Sequence, residues 1–182
     1  MKRWDILHQC QMPNAKCQIE DLIAILLKNR GLKTKIEIGK FLKPPDPYAL
    51  TSSDVDIEKH QLVKAIARIK KAIKKKESIV VYADYDADGI TAGAIMWETL
   101  HRLGANAMPY IPHRVEEGYG LSHKGIDTVV GQYHPMLIIT VDHGITAKEK
   151  VAYAKKLGID VIVTDHHVKP KSLPECTIVH TT

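Results

Sequence analysis

Asp84, Asp86 and Asp88 put three carboxylates into five consecutive residues, directly before Gly89. Like charges this close repel unless something positive sits among them. Hard divalent cations such as Mn²⁺ or Mg²⁺ meet that need, because they favour oxygen ligands. The spacing superficially fits a calcium-binding EF-hand loop. That loop requires a glutamate twelve positions along, and Ile95 stands there. A helix N-terminus decorated with acids, which the helix dipole favours, accounts for one or two of these aspartates but not well for three.

Asp165-His166-His167 adds the second kind of ligand. Neutral imidazole is the commonest side-chain ligand for transition metals. A lone histidine is more often structural. Two adjacent ones, with Asp165 beside them as an orienting carboxylate, favour a metal site. Asp142-His143-Gly144 contributes another carboxylate, and Gly144 lets the backbone turn sharply. His143 reads as a hydrogen-bonding or packing residue. Between these motifs, Tyr110 to Gly120 is rich in polar groups. Arg114 suits bidentate phosphate binding. Tyr119 suits stacking on a base or packing beneath the loop. Glu117 reads as the salt-bridge partner that positions Arg114.

These residues need a scaffold that brings them together. From Ser78 onward, short apolar runs alternate with amphipathic stretches. Strands are expected at 79–83, 107–111, 137–141 and 161–164, with a further one beginning at 177–180. Helices are expected at about 89–103, 122–130 and 147–157. The pattern predicts βα units and an α/β fold with a mostly parallel sheet and flanking helices. Asp84, Arg114, Asp142 and Asp165 then each follow a strand, in the crevice where open α/β sheets bind ligands.

Residues 1–77 read as a helical, basic N-terminal region ahead of a domain at 78–182. Gln18 to Arg30 reads as a helix that stops at Gly31. Phe41 to Pro47 is a breaker-rich connection. Asp56 is expected to cap a helix running to about Glu77, with Leu62, Ile66, Ile69 and Ile73 as its apolar face. Its other face is basic: Lys59, Lys64, Arg68, Lys70, Lys71 and Lys74 to Lys76. A solvated face is the simpler reading, and an electrostatic track for a phosphate backbone the sharper one.

Over the whole 182 residues the net charge is +5, compatible with a polyanionic partner. The opening residues lack a signal-peptide run, and no apolar stretch is long enough to span a bilayer. Cys10, Cys17 and Cys176 form no paired framework, so a reduced, cytoplasmic setting is expected, with no membrane partner.

Taken together, 83–91, 140–145 and 163–167 resemble the motifs of the DHH phosphoesterase superfamily. The loop at 112–121 resembles that of its RecJ-type exonucleases, as do Lys2 to Ile6 and Phe41 to Pro44. The resemblance implies a Rossmann-like DHH domain and metal-dependent hydrolysis of single-stranded DNA from a 5′ end, in repair and recombination. It implies two Mn²⁺ or Mg²⁺ ions in the complete site, held by Asp84, Asp86, Asp142 and His166. Asp88 and Asp165 match supporting carboxylates of the catalytic site, and His167 a position near the scissile phosphate. Arg114 matches a contact to substrate phosphate. A repair helicase or single-strand-binding protein is an implied partner. Family members carry a fourth metal-binding carboxylate and further domains beyond the point matching Thr182, so the chain is expected to be an incomplete catalytic part. A phosphodiesterase for oligonucleotides or cyclic dinucleotides would use the same residues. A noncatalytic strand-binding module is the alternative from another class. A haloacid-dehalogenase-type phosphatase is disfavoured, because it has no use for the histidine pair.

Overall fold

The computed structural model describes residues 19–181. Lys2 to Ile6, Cys10, Cys17 and the first residue of the helix expected from Gln18 lie outside them. The chain forms two compact units, Met1–Leu50 and Thr51–Thr182.

In the first unit, helix α1 spans Ile19–Asn29 and helix α2 spans Lys35–Leu42. Gly31 follows α1 at φ +85°, as the stop signal predicts. Helix α2 has a capping box. The Thr34 hydroxyl accepts from the Glu37 amide at 3.1 Å, and the Glu37 carboxylate accepts from the Thr34 amide at 2.8 Å. The helix carries through Phe41 and Leu42, into the stretch expected to be a connection.

The second unit begins with a 3₁₀ turn at Ser52–Val55 and helix α3 at Lys59–Lys75. Asp56 does not cap α3. It closes the 3₁₀ turn in the left-handed region at φ 57°, a conformation aspartate tolerates, and Glu58 takes the cap position. The long helix thus packs in the same unit as the sheet, although the sequence groups it with the N-terminal region. Its buried seam is also narrower than the apolar pattern. Ala65 and Ala72 are buried and Ile69 packs against the core, whereas Ile66 is exposed.

The sheet comprises β1 (Ser78–Ala83), β2 (Asn106–Tyr110), β3 (Leu137–Val141), β4 (Asp160–Asp165) and β5 (Thr177–His180). Its order is β2-β1-β3-β4-β5, and every pairing is parallel. Helix α4 (Ala87–Arg102) links β1 to β2, α5 (His123–Tyr133) links β2 to β3, and α6 (Lys148–Lys156) links β3 to β4. Both faces are covered, which is why the central strands read as continuous apolar runs. Val80, Ile138 and Val163 point to the core with α5 and α6. Ile79, Ile139 and Ile162 point to the core with α3 and α4. Pro109 is tolerated because β2 is an edge strand. Among the described residues, no helix is long and apolar enough to cross a membrane.

The basic helix is tied to the sheet near its start. Gln61, near its start, accepts from the Ile178 amide on β5. Its lysine-rich end at Lys74 to Lys76 lies just ahead of the first residue of β1, so that cluster sits where the strands begin. Arg68 does not belong to the solvated face. Its side chain is largely buried, pairs with Glu77 at 2.7 Å and with Asp160, and donates to the Met136 carbonyl at 3.1 Å. Removing one partner of such a network strands the other charge. Arg68→Ala is expected to lower unfolding free energy by about 3 kcal/mol. Arg68→Lys is expected to recover little, because lysine lacks the planar fork. Urea denaturation of the two variants checks both.

Candidate metal centre

The strand order reverses between β1 and β3, since β2 lies on one side of that pair and β4 and β5 on the other. The crevice at the carboxyl ends of β1 and β3 is therefore a topological switch point. Asp84 follows β1, Asp142 follows β3, and Asp165 ends β4.

Asp84 is fully buried. One oxygen accepts from the Tyr85 amide at 2.7 Å, and the other has no hydrogen-bond partner. Helix α4 starts directly over it. Asp86 caps that helix by accepting from the Gly89 amide at 2.9 Å. A Cβ on Gly89 would stand 2.6 Å from the Asp84 Cβ, so only glycine permits this approach. Asp88 lies exposed in the first turn, where the helix dipole favours a negative charge.

Asp142 is buried and adopts φ 67°, a left-handed conformation that turns the chain out of β3. Burial, reinforced by the charge of Asp86, pushes its carboxyl above the usual carboxylate range. Its Oδ1 lies 2.9 Å from His166 Nε2. Asp142, His166 and His167 each offer a ligand atom, and these atoms lie within 4.8 Å of one another. Asp84 and Asp86 flank this group from the β1 side and are not part of it.

Asp165 is the hub between the loops. Its Oδ2 accepts from the Ile145 amide at 2.8 Å. Its Oδ1 accepts from the amides of His166 and His167 at 2.7 and 3.0 Å, and from His167 Nδ1 at 2.8 Å. Burial opposes its charge, but these hydrogen bonds prevail and hold the carboxyl below its usual range. The bond to Asp165 in turn raises the His167 imidazole above its ordinary value. His180 on β5 donates from Nε2 to the His167 carbonyl at 2.7 Å. That anchor is a residue the sequence places on a strand without a role at the site.

His143 is buried and donates from Nε2 to the Tyr82 carbonyl at 2.9 Å. Burial lowers its pKa and keeps the ring neutral. The expected packing and hydrogen-bonding reading thus agrees with the geometry. Gly144 adopts φ +112°, and a Cβ there would meet the Thr140 hydroxyl at 2.7 Å.

Arg114 and Tyr119 lie on the exposed loop after β2. Glu117 does not pair with Arg114. It accepts from the Tyr110 hydroxyl at 2.6 Å and from the His113 amide at 3.2 Å, which ties the loop to the strand it leaves. The Arg114 guanidinium lies over the Tyr85 ring at 5.1 Å. Tyr119 meets the same ring edge-on at 6.2 Å. Its phenol is pushed up to about 12 by burial and by the charge of Asp84. An open groove of about 430 Å³ borders the site, lined by Asp88, Thr91, Ile95, Asp142, His166 and Val179.

The donor set fits a divalent cation. Asp84 has a buried, unpartnered oxygen, Asp142 is destabilised by a neighbouring acid, and His166 supplies a nitrogen ligand. Mixed carboxylate and imidazole donors suit Mn²⁺ as well as Mg²⁺.

The chain is similar to known proteins in sequence and in fold. Residues 78–182 match the model of the DHH family, N-terminal domain. Over 183 residues the chain is 38% identical to the single-stranded-DNA-specific exonuclease RecJ of Bacillus subtilis, covering 98% of this chain and 23% of that protein. The RecJ of Thermus thermophilus is 40% identical over 119 residues, which is 65% of this chain and 18% of that protein. The chain spans about a quarter of the length of the curated relatives it matches. A crystal structure of exonuclease RecJ bound to manganese superposes with a TM-score of 0.63 at 37% identity, over 72% of this chain and 32% of that one. A crystal structure of the Thermus thermophilus RecJ in complex with Mn²⁺ gives 0.61 at 32% identity, over 87% of this chain and 21% of that one. The three motifs, the parallel sheet that carries them and the family match agree: the chain belongs to the DHH family.

Proposed function

We propose that this chain is the metal-binding part of a single-strand-specific DNA exonuclease of the RecJ type. It would hydrolyse phosphodiesters from a 5′ end, in the cytoplasm, during repair and recombination. The observation that carries the reading is the buried, unpartnered oxygen of Asp84 at the switch point, beside Asp142, His166 and His167. The names of the RecJ relatives support the substrate class, and the manganese in the solved neighbours supports the cofactor.

In this reading Asp84, Asp86, Asp142 and His166 hold Mn²⁺ or Mg²⁺, two ions in the complete site. When bound, such ions stabilise the negative charge that develops on a phosphodiester and lower the pKa of water. Asp165 keeps His167 in one tautomer by accepting from Nδ1, which leaves Nε2 to face the reacting group. Nε2 of His167 is thereby available to a phosphate oxygen. Asp88 adds negative charge at the mouth of α4. Arg114 holds a neighbouring phosphate, and Tyr119 offers a face to a base.

Three measurements test these assignments. The first is cleavage of a 5′-labelled single strand with Mn²⁺, beside an Asp86→Ala control. This incomplete part is expected to cleave weakly or not at all, and any metal-dependent cleavage should be absent from the control. Cleavage that survives the substitution sinks the assignment. Preference for dinucleotides over long strands points to the oligonucleotide class, and salt-sensitive binding without cleavage to a noncatalytic module.

Mn²⁺ affinity by titration calorimetry is the second. His166→Ala and Asp142→Asn should each abolish or strongly reduce it. Asp165→Asn, which disturbs only the support behind the histidines, should weaken it about 10- to 100-fold.

The third follows His167 by NMR in metal-free protein. Its midpoint should lie above the ordinary 6.5 and fall back in Asp165→Asn. The linked stability is fully present below the unfolded value and is lost as pH rises through the folded one. Asp165, whose pKa is lowered, contributes stability above the ordinary 3.8, lost as pH falls through its folded value. Thermal melts in chelator should therefore show the pair's contribution between those limits, and His167→Gln should remove the loss on the alkaline side.

A further inference from the structure

We propose that Tyr85 is a positioning residue for Arg114: its ring holds the guanidinium over the acidic site while leaving the N–H groups free for a phosphate. The inference rests on the reading of Arg114 as a phosphate-binding residue.

Arg114 is exposed, and among the described residues no carboxylate pairs with it. A long, unpaired arginine on a loop would normally sample many rotamers. Here its guanidinium lies 5.1 Å from the Tyr85 ring centroid, within reach of the negative face of the ring. This mode of support has a chemical advantage over a salt bridge. A carboxylate partner would occupy the N–H fork, whereas a π face holds the cation and uses no hydrogen-bond donor. Glu117, the carboxylate expected to hold Arg114, is occupied by the Tyr110 hydroxyl and the His113 amide.

Tyr85 is itself well held. Its amide donates to Asp84 at 2.7 Å, and the next residue, Asp86, caps α4. Its ring is half-buried, with Tyr119 packed edge-on at an interplanar angle of 83°. The residue stands between two candidate metal ligands. A phosphate on Arg114 is thereby referenced to the same short segment that carries Asp84 and Asp86. An arginine without such a support would not fix that relation.

The test measures binding of a short 5′-phosphorylated oligothymidylate to the full chain in chelator, at several salt concentrations. The proteins are the unmodified chain, Arg114→Gln, Tyr85→Phe, Tyr85→Leu and the Tyr85→Leu/Arg114→Gln double variant, each checked for folding by circular dichroism. Arg114→Gln should weaken binding and lower the salt slope by about 0.7, the loss of one phosphate contact on a single strand. Tyr85→Leu should weaken binding about two- to fivefold and lower the slope in the same direction. Tyr85→Phe, which keeps the π face, should bind like the unmodified chain. The double variant should be no weaker than Arg114→Gln alone. Additive losses, an unchanged salt slope in Tyr85→Leu, or a Tyr85→Phe as damaged as Tyr85→Leu each overturn the proposal while leaving the phosphate reading intact. If Arg114→Gln binds like the unmodified chain, or the unmodified chain does not bind, the phosphate reading fails and the proposal falls with it.

Discussion

A carboxylate buried with one oxygen unpartnered is the constraint around which this site is arranged. Burial of a charge is costly unless something compensates it, and at Asp84 only one oxygen is compensated by the protein. The neighbouring pieces follow from that. Gly89 is needed because α4 must begin almost in contact with Asp84, with its N-terminal amides nearby. The adjoining strand contributes Asp142, itself raised in pKa by burial and by Asp86. Such a set is unstable in company with itself and stable around a cation.

A second, fully satisfied carboxylate complements the first. Asp165 accepts four hydrogen bonds drawn from the loops after β3 and β4. Three of the four converge on Oδ1, and their effect is to fix where His166 and His167 stand. The two aspartates are alike in type and in burial, yet opposite in what surrounds them. Hydrogen-bond accounting, rather than residue identity, separates the two.

Much of this is legible in the chain. The strand at Leu137–Val141 and the one at Thr177–His180 coincide with the expected limits, because apolar runs bounded by polar residues mark buried parallel strands well. The convergence of Asp84, Asp142 and Asp165 follows from the strand pattern alone. Local capping chemistry is less legible. Asp56 carries the right side chain for a cap but sits in a left-handed turn, and the Thr34–Glu37 box is a real cap whose spacing does not stand out beside the breakers that follow it. Contacts between distant residues are beyond reach. Nothing in the local pattern of α3 tells Arg68 from the lysines around it, since its partner Asp160 lies far along the chain. Proximity along the chain pairs Glu117 with Arg114, and does not reveal the Tyr110 hydroxyl opposite. Tyr85 escapes notice because tyrosine within an acidic motif carries no signal of its own.

The position of the lysines has an electrical consequence. Lys74 to Lys76 gather where the strands begin, and Asp84, Asp86, Asp88, Asp142 and Asp165 gather where they end. These two clusters therefore place opposite charge at the two ends of the strands. A cation-free acidic cluster repels a polyanion more than the same cluster with cations bound, so contacts such as that of Arg114 work against a field that cations relieve. Each divalent cation taken up cancels two of the acids and weakens that repulsion. In the proposed function, cation occupancy would therefore act on the encounter with a strand as well as on the reaction.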